Sequence, residues 1–468
     1  MKNAYLWLLR PGSLLSLSLL LGCSLGTLQQ VGQFNSQRRP PGISELKAPR
    51  SVHQKHPATG HSLKQAVENP DNLKAWPLAE HSIRYPLSVR YQYPGDQVKA
   101  REVLAVLEHS WQVEIDVLGF RPPFAFDPFA KPGEPRRLHA FLQRGAETAV
   151  EGRSPVKADG VWWDAYDAWV SIDAWGKYAG KILASTVAHE FNHALHAAYD
   201  WHESPGFFET SATYIQEKVT PDDNDYLEQI EDFQQHPHWP IHYDDGYKTW
   251  YMYGASLYLF FLEQRYFNQD PTFLAKIWEG SRNRPRPLDP NTELPAPISN
   301  EPDWVDALEN LLPRGVSYAD TVAEFARWRW YTGRRSDGRH FHEAHLLKPR
   351  GEVKVRARLQ SGQPYRSSGP LLGGSEYVTV KRLAGQSAVQ LDFSGAAGIR
   401  WVVQAVPGIA PGTNGELIAL SGGKGEMQFG ALAERTLVIT ALPADGVLDP
   451  DRPATAPLSF RLNAVASR

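Results

Sequence analysis

Cysteine is nearly absent from this sequence, and no charge of one sign prevails. The chain has 468 residues, with one cysteine, three methionines and a formal net charge of −3 at pH 7. A single cysteine excludes an intrachain disulfide, and the lack of a basic excess argues against nucleic acid as a partner. Beyond the N-terminal region, no apolar run is long enough for a membrane helix. The remaining composition, 42% hydrophobic and 22% charged residues, is typical of a globular protein.

The N-terminus has the layout of a bacterial lipoprotein signal peptide. Lys2 and Arg10 are basic, and the apolar run Leu14–Leu21 that follows is too short to span a bilayer. The run leads to Cys23 in the letters LLGC, which resemble the lipobox whose cysteine is lipidated in the mature protein. Residues 1–23 are therefore predicted to be a signal peptide. Cys23 would anchor an extracytoplasmic protein to a bacterial membrane, at the outer membrane or the cell surface. A plain signal peptide with a chance cysteine is the alternative.

Composition divides the rest of the chain into three parts. Residues 24–75 are polar and rich in proline, glutamine, serine and lysine, so they are predicted to form a flexible tether or a short propeptide. Residues 76–348 mix helical and strand patterns. Residues 349–468 carry short strand-like runs between turn residues, which favour a sandwich. The predicted fold class is α+β, with a mixed sheet and a helical region followed by a C-terminal all-β sandwich.

One segment has the strongest helical pattern. Lys181–Tyr199 contains no glycine or proline and is rich in alanine and leucine, so it is the clearest helix in the chain. A short loop follows, and Ser204 before Pro205 predicts the start of a second helix that ends near Lys218. Other helices are predicted over Ala100–Leu118, Tyr226–Gln234, Tyr253–Tyr266, Phe273–Gly280 and Tyr318–Tyr331.

A metal-binding motif lies in the middle of the clearest helix. The run His189-Glu190-Phe191-Asn192-His193 places two histidines one turn apart on the same helix face, where both imidazoles can reach one ion. Zinc suits imidazole and carboxylate ligands and leaves the fourth position to water. Glu190 is predicted to be the general base that takes a proton from that water. Two ordinary histidines on a structural helix are the alternative.

A third protein ligand is expected on the second helix. If the two helices run antiparallel, a residue four or five positions into the second helix lies level with His193. Glu209 is at that place, 16 residues after His193, and its small neighbours permit a close approach of the helices. Glu203 lies in the turn, Glu217 lies two turns further along, and Asp200 would need the loop to fold back. Glu209 is therefore predicted to be the third ligand.

Two further polar features are not assigned to the zinc site. His196 lies seven residues after His189, about 10.5 Å along the helix, so the two cannot bind one ion. His196 is interpreted as a polar wall residue or a satisfied helix histidine. Asp222, Asp223 and Asp225 form an acidic cluster that would suit calcium, but their spacing does not match an EF-hand loop. A solvated loop or a helix cap is the favoured interpretation.

Peptide hydrolysis also needs a group that stabilises the oxyanion, and a tyrosine or histidine is typical. Tyr253 is predicted for this role because it begins a helix after a polar loop that contains a histidine. The other candidates are Tyr214, His242, Tyr247 and Tyr251. An ordinary packing role stays open for each tyrosine, since the chain has 19 of them.

The HEFNH motif, followed by the run FFETSATY that contains Glu209, resembles the gluzincins, zinc peptidases with two histidine ligands and one glutamate ligand. More narrowly, it resembles a group of bacterial secreted metallopeptidases with a comparable helix pair and a terminal β-sandwich. The resemblance covers about residues 165–345. It implies a zincin-like catalytic domain with ligands His189, His193 and Glu209 and base Glu190. The spacing to Glu209 is shorter than in thermolysin-type enzymes, so the loop and the substrate cleft are expected to differ.

The predicted function is that of a zinc-dependent endopeptidase with one zinc ion per chain, which hydrolyses extracytoplasmic protein or peptide substrates. The alternative is a non-catalytic surface lipoprotein that keeps the metallopeptidase fold and binds its partner through the sandwich. A zinc hydrolase that acts on a non-peptide bond is a third interpretation.

Overall fold

In the computed structural model, the first described part of the chain forms a six-stranded mixed sheet. Its strands are β1 Leu78–His81, β2 Leu87–Tyr91, β3 Phe124–Ala125, β4 Leu138–Leu142, β5 Ala149–Ala158 and β6 Val161–Ile172. β2, β4 and β6 are parallel neighbours, and β3 also pairs in parallel with β6. β1 is antiparallel to β2, and β5 runs antiparallel along the other edge of β6.

The structure describes residues 73–466 except for 145–147, 159, 176–178, 285–300, 408–414 and 453–455. The predicted signal peptide, its Cys23 and nearly all of the predicted tether therefore lie outside the described residues. Within the described part of the chain, no helix has the length and apolar character needed to cross a membrane.

The strand that precedes the motif helix is buried along most of its length. β6 is shielded from solvent from Asp164 to Ile172. Tyr166, Val170 and other residues of this strand pack in the main core, while Trp169 packs with Phe141 in a second cluster on the opposite face. A strand covered on both faces is typical of the parallel part of an α/β sheet. It provides a rigid base for the helix that follows.

Helices occupy the middle of the chain. α1 spans Gln97–Ser110 and continues into a π-helix over Trp111–Val117, and together they account for the helix predicted in that region. The following helices are α2 Lys181–His196, α3 Pro205–Val219, α4 Tyr226–Gln235, α5 Tyr251–Gly254, α6 Ser256–Arg265, α7 Phe273–Gly280, α8 Trp304–Leu311 and α9 Tyr318–Trp328. Each predicted helix is present, but the one predicted over Tyr253–Tyr266 begins at Tyr251 and is divided at Ala255 into α5 and α6, so Tyr253 does not begin a helix. α8 is an addition that the sequence analysis did not predict.

The bounds of the motif helix differ from the prediction at its C-terminal end. α2 ends at His196, three residues before the predicted Tyr199. The chain tightens there into a turn in which the Tyr199 amide donates to the His196 carbonyl at 2.9 Å. α3 begins at Pro205 directly after Ser204, as predicted, although the Ser204 side chain makes no capping hydrogen bond.

The C-terminal part of the chain is rich in strands. They are β7 Ala357–Gln360, β8 Pro364–Ser367, β9 Ser375–Lys381, β10 Ala388–Gly395, β11 Ile399–Pro407, β12 Glu416–Leu417, β13 Lys424–Gln428, β14 Glu434–Pro443 and β15 Phe460–Ala466. The order β13-β10-β15-β8 forms one sheet, and β12-β11-β14-β9-β7 forms another. Side chains from both sheets, such as Leu391, Val403, Leu437 and Leu462, share one core. Two sheets around a common core constitute a β-sandwich.

The helical region and the sandwich are in direct contact through α9. The Gln404 amide donates to the Ala323 carbonyl at 2.7 Å, and the Tyr377 hydroxyl donates to the Ala326 carbonyl. All described residues belong to one compact unit. The boundary predicted between residues 348 and 349 stays a prediction.

Candidate metal centre

Three buried side chains from two helices meet at one point. His189 and His193 lie on α2, and their Nε2 atoms are 3.1 Å apart. Glu209 lies on α3, and its Oε2 is 3.1 Å from His189 Nε2 and 3.5 Å from His193 Nε2. Their potential ligand atoms all lie within 4.8 Å of one another. The group could therefore hold a metal ion, and it is the set of ligands predicted from the sequence.

The two helices bring these residues together for the reasons that the sequence suggested. A spacing of four residues aligns the histidines on one face of α2. Ser211 and Ala212 are small and fully buried, which allows α3 to approach α2 closely. Two of the rival ligands have other partners: Glu203 accepts from the Trp304 amide at 2.9 Å, and Asp200 accepts from the Asn283 side chain at 3.0 Å. The third, Glu217, does not belong to the convergent group.

The donor atoms fit a metal ion in both orientation and spacing. His189 Nδ1 lies 2.8 Å from Gln216 Oε1, so this nitrogen carries the proton and donates it outward. His193 Nδ1 lies 3.3 Å from His196 Nδ1 in a comparable contact. The Nε2 atoms then face each other and the Glu209 carboxylate, an arrangement that a bound cation would stabilise. Ligands about 2.05 Å from a tetrahedral ion are about 3.3 Å apart, close to the observed separations.

Glu190 is the buried carboxylate beside this group. It is fully buried, and neither of its carboxylate oxygens has a hydrogen-bond partner. Burial raises the pKa of Glu190 to about 8 against the opposing effect of His189. Burial acts on Glu209 in the same direction, but the two histidines outweigh it and lower the pKa of Glu209 to about 2. The metal group thus holds one firmly ionised carboxylate, and Glu190 is poised to bind a proton.

Each ligand histidine has an outward partner that the sequence analysis did not identify. Behind His189, Gln216 donates to Asp225 Oδ1 at 2.9 Å, and Ser185 donates to Asp225 Oδ2 at 2.9 Å. Behind His193, His196 Nε2 lies 3.2 Å from the Ser211 hydroxyl oxygen. Gln216 could have been found, because it lies two turns after Glu209 on the same face of α3. Asp225 could not, because the loop after α3 brings it there.

Tyr253 is the predicted oxyanion group that lies nearest the metal centre. Its ring stacks on the His189 ring with centroids 5.8 Å apart and planes at 19°. Burial, followed by the nearby Glu209 carboxylate, holds the pKa of Tyr253 well above its usual value. The Tyr253 hydroxyl is therefore a proton donor at the edge of the site.

The other candidates for the oxyanion role differ in position. Tyr247 belongs to the same buried aromatic cluster as Tyr253. The Tyr251 hydroxyl donates to the carbonyl of Trp239. The Tyr214 ring faces Lys218, and His242 Nδ1 lies 3.4 Å from the Tyr318 hydroxyl. Tyr214, Tyr251 and His242 thus contact residues outside the metal group. Tyr253 contacts the metal group through His189, and Tyr247 lies in the same cluster as Tyr253.

The site is closed in this conformation. His189 is 3% exposed, and Glu190, His193 and Glu209 are not exposed at all. A peptide cannot contact these side chains unless the residues that cover them move.

The acidic cluster that would suit calcium is arranged differently from a metal group. Within the described residues, the groups of three metal-capable side chains are the buried one above and a second one formed by Glu301, Asp449 and Asp451. Neither includes Asp222 or Asp223, and Asp225 is directed to Gln216 and Ser185 instead. Asp225 is the N-cap residue of α4, although its side chain makes no capping hydrogen bond.

Comparisons with known proteins add little. No protein-family model matches the sequence, and no curated protein matches it. One match among the solved structures is the pre-peptidase C-terminal domain of a collagenase from Bacillus anthracis. That domain is 14% identical, and the match covers 24% of this chain and 96% of that one with a TM-score of 0.18. A likeness at this level carries no argument.

Proposed function

We propose that the protein is a zinc-dependent endopeptidase of the gluzincin type, with a zincin-like catalytic domain ahead of the β-sandwich. One observation carries the proposal. Two histidine nitrogens and one carboxylate oxygen converge on a buried point, and beside them Glu190 has no hydrogen-bond partner. The convergent atoms suit a cation, and the unpartnered carboxylate suits a base that acts on water.

Zinc is the ion that this set of ligands favours. Two imidazole nitrogens and one carboxylate oxygen are a common ligand set of catalytic zinc, whereas calcium and magnesium take mainly oxygen ligands. Structural zinc sites are usually closed by four protein ligands. The three side chains of this group leave a fourth position for water or substrate, as a hydrolytic site requires.

Each residue around the ion has a separate role in the proposed hydrolysis. When bound, zinc acts as a Lewis acid that polarises a carbonyl group and makes water a stronger nucleophile at neutral pH. Glu190 takes the proton of the attacking water and returns it to the leaving amine. Tyr253 donates a hydrogen bond to the oxygen on which negative charge develops. Glu209 and the two histidines keep the ion in place throughout.

The closed site sets a condition on this function. Because Glu190 is fully buried, the substrate reaches it only after a movement of the covering residues. Closure of this kind excludes water and is common in enzymes that bind substrate before assembling the site.

The cellular location follows from the N-terminus. We propose that Cys23 is lipidated and that the protein acts outside the cytoplasm on protein or peptide substrates, held to a bacterial membrane by its lipid. The proposed anchor rests on the sequence alone, because Cys23 lies outside the described residues.

A second candidate function is favoured by the burial of the site. In a non-catalytic surface lipoprotein, a buried ion would only stabilise the fold, and the sandwich would bind the partner. The unpartnered Glu190 argues against this candidate, because a structural site has no use for a buried carboxylate that contacts neither ligand nor donor.

The test combines metal content with peptide hydrolysis. Protein with Cys23→Ser, loaded with Zn²⁺ and dialysed, should retain about one zinc ion per chain and should cleave members of a mixed peptide library detected by mass spectrometry. Glu190→Gln should keep the zinc and lose about 10²–10⁴-fold in cleavage rate, because only the base is removed. A protein without bound zinc would contradict the proposal. Bound zinc without cleavage of any peptide would favour the structural role.

A further inference from the structure

Neither ligand histidine has a carboxylate as the direct partner of its Nδ1. Ligand histidines in metal sites commonly donate their second N–H to a carboxylate, a carbonyl or water. Here His189 donates to the side-chain amide of Gln216, and His193 donates to another histidine, His196. The four side chains are buried, so no solvent molecule is needed to satisfy the outward nitrogens.

The chain of donors behind His193 has a single consistent direction. The Ser211 hydroxyl donates to the Phe207 carbonyl at 2.6 Å and therefore accepts from His196 Nε2 at 3.2 Å. His196 then carries its proton on Nε2, and its Nδ1 is an acceptor. His193 must donate from Nδ1, which leaves Nε2 free for the metal group. The chain ends on the first turns of α3, the helix that also supplies Glu209.

The chain behind His189 ends on a charge. The Gln216 amide donates to Asp225, so its carbonyl oxygen faces His189 and accepts the Nδ1 proton. Ser185 donates to the second oxygen of Asp225. Asp225 thus fixes which way the Gln216 amide points, and through it the tautomer of His189.

We propose that His196 and Gln216 are positioning residues that hold His193 and His189 in the tautomer and orientation needed to bind the ion. This inference deepens the proposed function and rests on it. His196 is itself fixed, because its ring stacks on Trp278 with centroids 4.0 Å apart and planes at 14°. Neither residue touches the reacting atoms, so each acts through a ligand.

A matched pair of variants separates positioning from packing at His196. His196→Leu and His196→Asn both remove the stack on Trp278 and the contact with Ser211. The asparagine oxygen can still accept from His193 Nδ1, whereas leucine offers no acceptor. The measurement is the rate at which each zinc-loaded protein loses zinc to an excess of a chromogenic chelator.

We expect His196→Leu to release zinc about 10–100-fold faster than the unsubstituted protein, and His196→Asn to recover most of that difference. Equal release rates from the two variants would overturn the role of His196. An unsubstituted protein that takes up no zinc would contradict the proposed function itself, so the two failures are distinguishable.

A second set of variants tests Gln216 and remains useful if the His196 variants do not fold. Gln216→Leu should release zinc about 10-fold faster or more, because His189 loses its acceptor. Gln216→Glu combined with Asp225→Asn exchanges the amide and the carboxylate. The carboxylate introduced at position 216 then accepts from His189, and the amide introduced at position 225 donates to that carboxylate. This exchange should restore slow release. Release from Gln216→Leu at the original rate would overturn the role of Gln216.

Discussion

Two groups of side chains in the described part of the molecule bring three potential metal ligands within 4.8 Å, and they differ in almost every other respect. His189, His193 and Glu209 lie in the core on two helices. Glu301, Asp449 and Asp451 lie at the surface, between the helical region and the sandwich, with Glu301 exposed. The first group combines two imidazoles, whose Nδ1 atoms have partners behind them, with one carboxylate, whereas the second has acids alone.

One carboxyl of the surface group has a raised pKa. A hydrogen bond to Asp306, followed by burial and by the charges of its neighbours, raises the pKa of Glu301 to about 8. In the buried group the histidine protons are already directed outward, to Gln216 and His196. Proximity of ligand atoms therefore does not define a metal site. What distinguishes the buried group is that two imidazole nitrogens and a carboxylate oxygen converge, while the Nδ1 atoms of both histidines face other partners.

The largest expected effect comes from replacing a carboxylate of the buried group by an amide of the same size. The same replacement at the surface group is the control. Glu209→Gln should reduce zinc content from about one ion per chain to less than about one tenth, because the anionic ligand is lost. At zinc concentrations about 1,000 times the dissociation constant, it should also lower the free energy of unfolding by about 4 kcal/mol relative to the loaded protein. Elemental analysis and urea unfolding with and without zinc measure the two quantities.

Asp449→Asn is the matched control at the surface group. It should leave both the zinc content and the effect of zinc on unfolding unchanged. If the two variants lost zinc equally, the contrast between the groups would be wrong and the ion would have to be assigned again.

The second-largest expected effect comes from removing the hydroxyl of Tyr253, beside the buried group. Tyr253→Phe keeps the ring that stacks on His189 and removes the donor, so kcat should fall by about 10–10²-fold with little change in KM or zinc content. Steady-state kinetics on a cleaved peptide, together with zinc analysis, test this. A loss of zinc equal to that of Glu209→Gln would show instead that Tyr253 serves to hold Glu209.

Local sequence patterns were sufficient to predict most of the helices. The absence of glycine and proline from Lys181–Tyr199 predicted α2, and the serine–proline pair at residues 204 and 205 predicted where α3 begins. α8 was not predicted, because its eight residues follow a proline-rich stretch and show only two helical turns. The parallel pairing of β2 with β4, and of β4 with β6, is a long-range contact that periodicity does not encode.

The candidate site, like the fold, has some residues that local spacing predicts and others that only tertiary packing places. The spacing within α2 and the length of the loop to α3 were sufficient to predict His189, His193 and Glu209 as one group. His196 was excluded as a ligand by its distance along the helix, and its contact with His193 Nδ1 depends on side-chain orientation, which the sequence does not give. Asp225 arrives from a loop whose path is set by tertiary packing, so no local pattern could connect it to Gln216.

The smallest expected effect concerns Asp303 and Asp320, two aspartates in the capping boxes of α8 and α9. Both line the cavity that Glu301 also lines, so they test the surface group of the comparison. Asp303 caps α8 through one oxygen, which asparagine can replace. Burial, followed by the neighbouring Glu203, raises the pKa of Asp303 to about 8. The folded state therefore binds a proton that the unfolded state has lost, and stability falls as pH rises from about 4 to about 8.

Asp303→Asn should remove this loss. Relative to pH 5, urea unfolding at pH 8 should show a gain in stability of about 1–2 kcal/mol over the unsubstituted protein, since neighbouring carboxylates share the proton. Asp320 is the N3 residue of the capping box at the start of α9, where Ser317 is the N-cap. Although burial opposes its ionisation, its bonds to Ser317 and to Arg400 lower its pKa. Asp320→Asn should therefore act with the opposite sign, destabilising the protein more at pH 7 than at pH 3. If both variants changed stability in the same direction, the opposite pKa shifts of Asp303 and Asp320 would be wrong, and a cation would have to be considered at this surface too.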